Sequence, residues 1–461
     1  MRPIDRRSVL RGAAATLPAL WLASCAEREQ AAGTDRSRTV PTPPSGTLIT
    51  RWLADEWSRG SYSFLAVGAS PEDRRALGRP EGPLVLAGEA TSVEHPSTVH
   101  GALLSGRRAA AQVRERVPPG ATVAVVGAGA AGLAAGAALR DTHRVVVFEA
   151  RDRTGGRVWT DRSVGYPVEL GAGWIHGPEG NPLTELAARA GVATVPMQWD
   201  SDRTVDRRGR VIDTTAAEER LDELLVDAAT AAERSERDTP LGELLAAAAD
   251  RAGLSARERD EVDRAAVRSI EGEFAADLGE LSGWWWDEGE PFPGGDVLVV
   301  GGYDRILAPL GEGLDVRTGT PVRAVRWDDR GARVALDGDA VDAAAAVLTV
   351  PAPVLLAGVP ALDPPLPAGW RDALGRLGVG VLDKVVLAWP TAFWGDEWVF
   401  GHSGAERGAF AEWVNLAAAA GHPAVVSFTA ATAARRWEAR TDEQIRDGAL
   451  TALATIGGFS R

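Results

Sequence analysis
The sequence predicts an α/β fold, in which a Rossmann-type dinucleotide-binding domain is joined to an α+β domain. Three observations predict it. Residues 122–149 run strand, glycine-rich turn, helix, strand and acid at the spacing of a βαβ nucleotide-binding unit. Residues 213–282 are rich in Ala, Glu, Arg and Leu and read as helices, whereas 381–389 has the period-2, β-branched character of a strand. A chain of 461 residues is long enough for two intimately joined domains and a large core.

The N-terminus reads as an address. Asp5-Arg6-Arg7-Ser8-Val9-Leu10-Arg11 precedes the weakly apolar stretch GAAATLPALWLAS, and LASC ends at Cys25. This is the pattern of a twin-arginine export signal over residues 1–24 followed by a lipoprotein cleavage box. The apolar run is too short to be a permanent membrane span. Cys25 is therefore the expected lipidated first residue, and residues 25–46 are the expected tether to the outer face of a bacterial cytoplasmic membrane. Cys25 is the only cysteine. No thiol is left for disulfides, metal binding, thiol catalysis or a thioether bond to a cofactor, and no metal site is expected. The twin-arginine route carries folded proteins, which suits a chain that loads its cofactor before export.

Charge narrows the partners. The formal charge is −14. Residues 1–24 hold four Arg and one Asp, so the remainder is near −17. That argues against nucleic acid, which is bound through basic patches. It favours attraction of cations such as amines.

The strand Val123–Val126 runs into Gly127-Ala128-Gly129-Ala130-Ala131-Gly132, where a helix opens. Gly127, Gly129 and Gly132, with Ala131 in the same turn, allow a tight bend, close backbone approach to a pyrophosphate and helix–strand packing. The helix N-terminus offers N–H donors and a positive dipole end. A second strand, Val145–Phe148, ends in Glu149, which can accept from ribose hydroxyls.

Lys384 is the only lysine, against 49 arginines. Strand alternation puts it on one face with Leu382, Val386 and Ala388. A lysine retained on an apolar face points to chemistry, because its compact ammonium can be tuned or discharged as a guanidinium cannot.

Several blocks resemble the flavin-containing amine oxidases, the family of monoamine oxidases, polyamine oxidases and lysine-specific histone demethylases. Glu149-Ala150-Arg151-Asp152-Arg153-Thr154-Gly155-Gly156-Arg157 resembles the family's second fingerprint. The blocks at 169–177 and 294–310 resemble segments lying against the flavin. ThrProValArgAlaVal (320–325) resembles the strand whose valine, here Val322, holds adenine, and LeuAspLysValValLeuAlaTrp the segment of the active-site lysine.

The resemblance implies non-covalent FAD, held by Gly127, Gly129, Ala131, Gly132, Glu149, Arg151, Gly156, Arg157, Gly173, Trp174, Val322, Glu89, Thr98 and Val99. It implies oxidation of an amine to an imine or aldehyde, with O2 reduced to H2O2. Lys384 would hold a water beside the flavin. Trp52, Tyr62 and Trp174 would wall an apolar pocket that favours the neutral, reactive amine by desolvation. The N–H groups at Thr98 and Val99 would face the flavin and stabilise negative charge. Threonine at position 98, where monoamine oxidases tend to have tyrosine, points to the polyamine oxidase and demethylase branch. His176, Asp287 and Glu288 are candidates for substrate selection, the two acids for the distal ammonium of a polyamine.

One feature departs from the family. Its members normally end with a flavin-contacting segment, yet here TRWLADEWSRGSYSFLAVG (50–68) and LAGEATSVEHPSTVHGALLSGRRAA (86–110) precede the glycine turn. The simplest reading is circular permutation, which moves no site residue in space. The expected organisation is signal 1–24, tether 25–46, permuted C-terminal segment 47–117, FAD-binding residues 118–200 and 296–360, and substrate-domain residues 201–295 and 361–461. Alternatives from the residues alone are an L-amino-acid oxidase or another flavin oxidoreductase of this fold, and an inactive flavin-binding protein.

Overall fold
The computed structural model describes residues 40–41, 43–403 and 406–457. The expected export signal and Cys25 lie outside these residues.

A five-stranded parallel sheet runs in the order Asp315–Arg317, Arg144–Phe148, Thr122–Val126, Ala345–Leu348, Leu84–Leu86. Its strands are apolar on both faces, as parallel strands covered on two sides must be. Val123 and Val125 face one core with Leu103, Leu133 and Leu139. Ala124 and Val126 face another with Leu84, Leu86 and Trp370. Helices Val99–Arg116 and Ala130–Leu139 cover the first face. They approach so closely that a Cβ on Gly106 would lie 2.1 Å from the carbonyl oxygen of Ala131. Residues 117–121 alone connect the first of these helices to strand Thr122–Val126.

A six-stranded sheet forms the floor of the second region. Its order is Gly46–Ile49, Leu382–Ala388, Ala424–Ala430, Ala409–Asn415, Val399–Ser403, Asp202–Asp206. All pairings are antiparallel except the last. The expected strand at 381–389 is the second in this order, and Lys384 stands directly opposite Phe428. A three-stranded sheet, Trp174–His176, Asp296–Val300 and Ala193–Pro196, packs above the floor through Leu298 and Trp174. Helices Thr215–Glu233, Leu241–Arg251 and Ala256–Ala266 bury a common apolar cluster, as the composition of 213–282 led one to expect.

Two boundaries differ from the sequence reading. Val322 precedes its strand, which begins at Ala324, because Pro321 has no N–H to enter a ladder. Strand Asp296–Val300 joins the three-stranded sheet rather than the parallel sheet.

Candidate active site
The glycine turn is built for a ligand that approaches the backbone. Gly127 has φ +106°, and a Cβ there would strike Thr349 Oγ1 at 2.5 Å. A Cβ on Gly132 would lie 1.9 Å from the Gly127 carbonyl oxygen. On Gly129 it would meet nothing nearer than 3.9 Å. The first and third glycines are therefore packing requirements, while a Cβ on the second would only come into ordinary contact with Gly155 and Gly156. Gly155 and Gly156 fold over this turn, Gly155 in a parallel bridge with Gly129. The Glu149 carboxylate accepts from the N–H groups of Ala128 (2.7 Å) and Arg151 (2.9 Å), which fixes it at the strand end. Val322 is buried, and Arg323 beside it is hydrogen-bonded to Ala335 and Ala361.

The second cradle element is the helix Val99–Arg116. Thr98 is its N-cap: the hydroxyl accepts from Gly101 N–H (2.9 Å) and donates to the His95 carbonyl (3.0 Å). A hydroxyl so engaged positions the helix end, and leaves the remaining first-turn N–H groups, Val99 among them, to face a ligand.

Two arginines expected at the cofactor are not free cations. Arg157 donates to Glu89 (2.9 Å) and to the Ser61 carbonyl (2.7 Å). Glu89 also accepts from the hydroxyl of Ser63 and the N–H groups of Ser63 and Ser97. Burial opposes its charge, but Arg157, Arg74 and Ser63 outweigh that and hold its carboxyl below the usual range. Arg151 forms a two-toothed pair with Asp55 (2.8 and 2.6 Å) and reaches Ser58. These pairs stitch residues 50–63 to the nucleotide-binding domain.

Glu288 is also corrected. Its side chain is 4% exposed and forms an ion pair with the fully buried Arg74. It neutralises an internal guanidinium and cannot serve a substrate. Asp287, next to it, is half-buried and adds a like charge that opposes ionisation of Glu288.

Lys384 is 5% exposed. Its Nζ donates to the carbonyls of Gly171 (2.6 Å) and Glu169 (3.0 Å) and lies over the rings of Trp174 (5.1 Å) and Phe428 (5.7 Å). Burial pushes its pKa down to about 8, with the nearby Glu169 pulling the other way. Burial raises Glu169 to about 7 against hydrogen bonds from Thr160 and the Tyr303 N–H and the charge of Lys384. A Cβ on Gly173 would come within 3.6 Å of the Lys384 nitrogen, so the glycine keeps space beside it. Trp174 Nε1 is buried with no hydrogen-bond partner.

Beside this pocket is a recess that sequence reasoning missed. Tyr62 donates its hydroxyl to the Glu273 carbonyl (2.7 Å). The Glu273 side chain is solvent-exposed and interacts electrostatically with His176 and Asp296. Burial raises its carboxyl, with His176 opposing and Asp296 adding. His176 pairs with Asp296 (2.9 Å), which also accepts from Trp199 Nε1. Enclosure opposes charging of His176, but Asp296 and Glu273 outweigh it and raise its pKa. The structure thus joins Tyr62 and His176 through Glu273, and Trp174 to Lys384. Trp52 is buried edge-on to Trp159 (6.1 Å). Phe428 was absent from the sequence reading because strand pairing, which no local pattern encodes, brings it to Lys384.

A glycine-lined dinucleotide cradle beside an apolar pocket with a buried lysine fits a flavin-dependent amine oxidoreductase. The turn and the capped helix fit FAD, which supplies the hydride acceptor when bound. Residues 20–114 and 130–461 match the family described as flavin containing amine oxidoreductase, and the chain belongs to that family. It is 32% identical to polyamine oxidase 4 of Oryza sativa subsp. japonica over 73% of this chain and 72% of that protein. With lysine-specific histone demethylase 2 of Homo sapiens it shares 29% over 73% of this chain and 43% of the other. Putrescine oxidase bound to putrescine superposes with a TM-score of 0.58 at 25% identity, over 73% of this chain and 82% of the other. The enzyme oxidises amines with FAD.

Proposed function
We propose that the substrates are polyamines and that O2 takes the electrons, giving H2O2. The observation that carries this is the recess of Glu273, Asp296 and His176 beside the apolar lysine pocket. A neutral amine suits the pocket by desolvation, and a second, charged ammonium suits the carboxylates. The names of the relatives, polyamine oxidase and putrescine oxidase, support the same class. An amino-acid substrate would bring its carboxylate against this acidic recess. The test is the visible flavin spectrum before and after anaerobic spermidine or spermine. Bleaching is expected, and a persistent oxidised band with polyamines but bleaching by a monoamine would overturn the substrate class.

We also propose circular permutation. Its support is the flavin-segment resemblance at 86–110 ahead of the glycine turn, a family match in two stretches, and the short 117–121 connection. The C-terminal helix Asp442–Gly457 begins beside residue 51, where Arg51 pairs with Asp442. A gene rebuilt in family order, 118–461 followed by 40–117, should bind FAD and turn over; an insoluble or flavin-free product would count against permutation. Export and lipidation at Cys25 complete the proposal, and Cys25→Ser should release the protein from the membrane fraction.

A further inference from the structure
Asp383 points away from Lys384, to the opposite face of the same strand, and is 4% exposed. Its Oδ1 accepts from the Thr50 hydroxyl (2.9 Å) and the Trp52 N–H (3.0 Å). Thr50 Oγ1 in turn accepts from the N–H of Lys384 (2.7 Å), and the Thr50 N–H donates to the Lys384 carbonyl (3.0 Å). One hydroxyl therefore links the buried acid to the lysine's own backbone. The other oxygen, Oδ2, is buried without a hydrogen-bond partner.

The acid beside Asp383 is Glu438, at the end of helix Ala431–Glu438. Its two oxygens accept from the next backbone groups of the same segment, Leu53 N–H (2.7 Å) and Ala54 N–H (2.9 Å). No cation is paired with either carboxyl among the described residues. Arg51, the nearest candidate, donates to the backbone carbonyls of Glu438 and Arg440 and pairs with Asp442. Arg440 lies over the Trp437 ring. A buried carboxylate without a counter-ion is costly to ionise. Burial first, then Glu438, push the Asp383 carboxyl well above the ordinary range.

We propose that Asp383 is a positioning residue that works as the neutral acid and clamps residues 50–52 to the back of the lysine strand. The clamp sets the Thr50 hydroxyl against the Lys384 backbone.

The sign of the pH effect follows from the raised pKa. The folded chain keeps a proton that the unfolded chain releases near pH 4 or so. The stability Asp383 contributes is full in acid and falls as pH rises towards its folded pKa. Asp383→Asn mimics the neutral acid, with an acceptor for Thr50 and Trp52, and cannot ionise. The experiment follows thermal unfolding of the FAD-loaded full chain from about pH 5 to about pH 9, for wild type, Asp383→Asn and Asp383→Ala. The unfolding temperature of Asp383→Asn relative to wild type should climb by roughly a few degrees across that range. Asp383→Ala should be lower throughout, and its kcat should fall about tenfold or more while KM moves little, as expected for a displaced lysine. A pH-independent gap between Asp383→Asn and wild type would overturn the neutral acid. An Asp383→Asn enzyme as slow as Asp383→Ala would show that the carboxylate charge is needed, and would overturn it too.

Discussion

The cofactor cradle and the amine pocket are built in opposite ways. The glycine turn, Glu149 and the Gly155-Gly156 pair all come from residues 127–156, so one stretch of chain makes most of the cradle. The pocket and its surroundings draw Lys384, Phe428, Trp174, Tyr62 and Glu273 from five separate segments, brought together by strand pairing and tertiary contacts. A cradle made locally tolerates rearrangement of the chain order around it. A pocket made by assembly depends on every register that places its walls.

The sharpest way to break the comparison is inside the cradle. Gly132→Ala puts a Cβ into the Gly127 carbonyl, whereas Gly129→Ala meets Gly155 and Gly156 only at ordinary contact distance. Gly132→Ala should lose folded, flavin-bearing protein altogether, judged by visible absorbance after gel filtration. Gly129→Ala should fold with an unchanged far-UV spectrum and yet release FAD more readily. Equal behaviour of the two would erase the distinction between packing and ligand glycines.

In the pocket, Lys384→Met should leave FAD bound and slow turnover about 100-fold, the scale of a positioned proton-transfer group. Because burial brings Lys384 to about 8, it is charged below that pH and neutral above. The wild-type rate should therefore rise through a step near about 8 that the methionine variant lacks. A step that persists in Lys384→Met would assign it to another group.

A smaller effect belongs to the recess. Glu273→Gln removes a charge but keeps the shape, and should raise KM for a diamine about tenfold, the worth of a charged hydrogen bond, with little change for a monoamine. The least change is expected at the helix cap. Thr98→Ala forfeits one N-cap bond, about 1 kcal/mol of stability by denaturant unfolding, with FAD still bound.

What was legible follows the same division. The glycine spacing, the acid at 149 and the lone lysine were readable because each is a local statement about backbone freedom or side-chain chemistry. The protein partners of the arginines were not. Arg151 and Arg157 stand beside phosphate-type motifs in sequence, but their partners, Asp55 and Glu89, lie far along the chain. Glu288 read as a candidate for a substrate ammonium, whereas Arg74, folded against it, makes it an internal counter-ion. Glu273 gave no signal, since enclosure without pairing is a property of the assembled recess.

The parallel sheet carries a last consequence, for the order of assembly. Ala345–Leu348 lies between Thr122–Val126 and Leu84–Leu86, bonded to both. Both neighbours leave the ribosome long before it. The growing chain must hold a gap in the middle of its cofactor-binding sheet until that strand is inserted, a pairing across a large sequence separation that forms slowly. Residues 127–156 can bend into their turn early, but a closed platform on which FAD can rest exists only after most of the polypeptide has been made. Flavin capture is then a late event in the life of the nascent protein, however early its recognition motif is written.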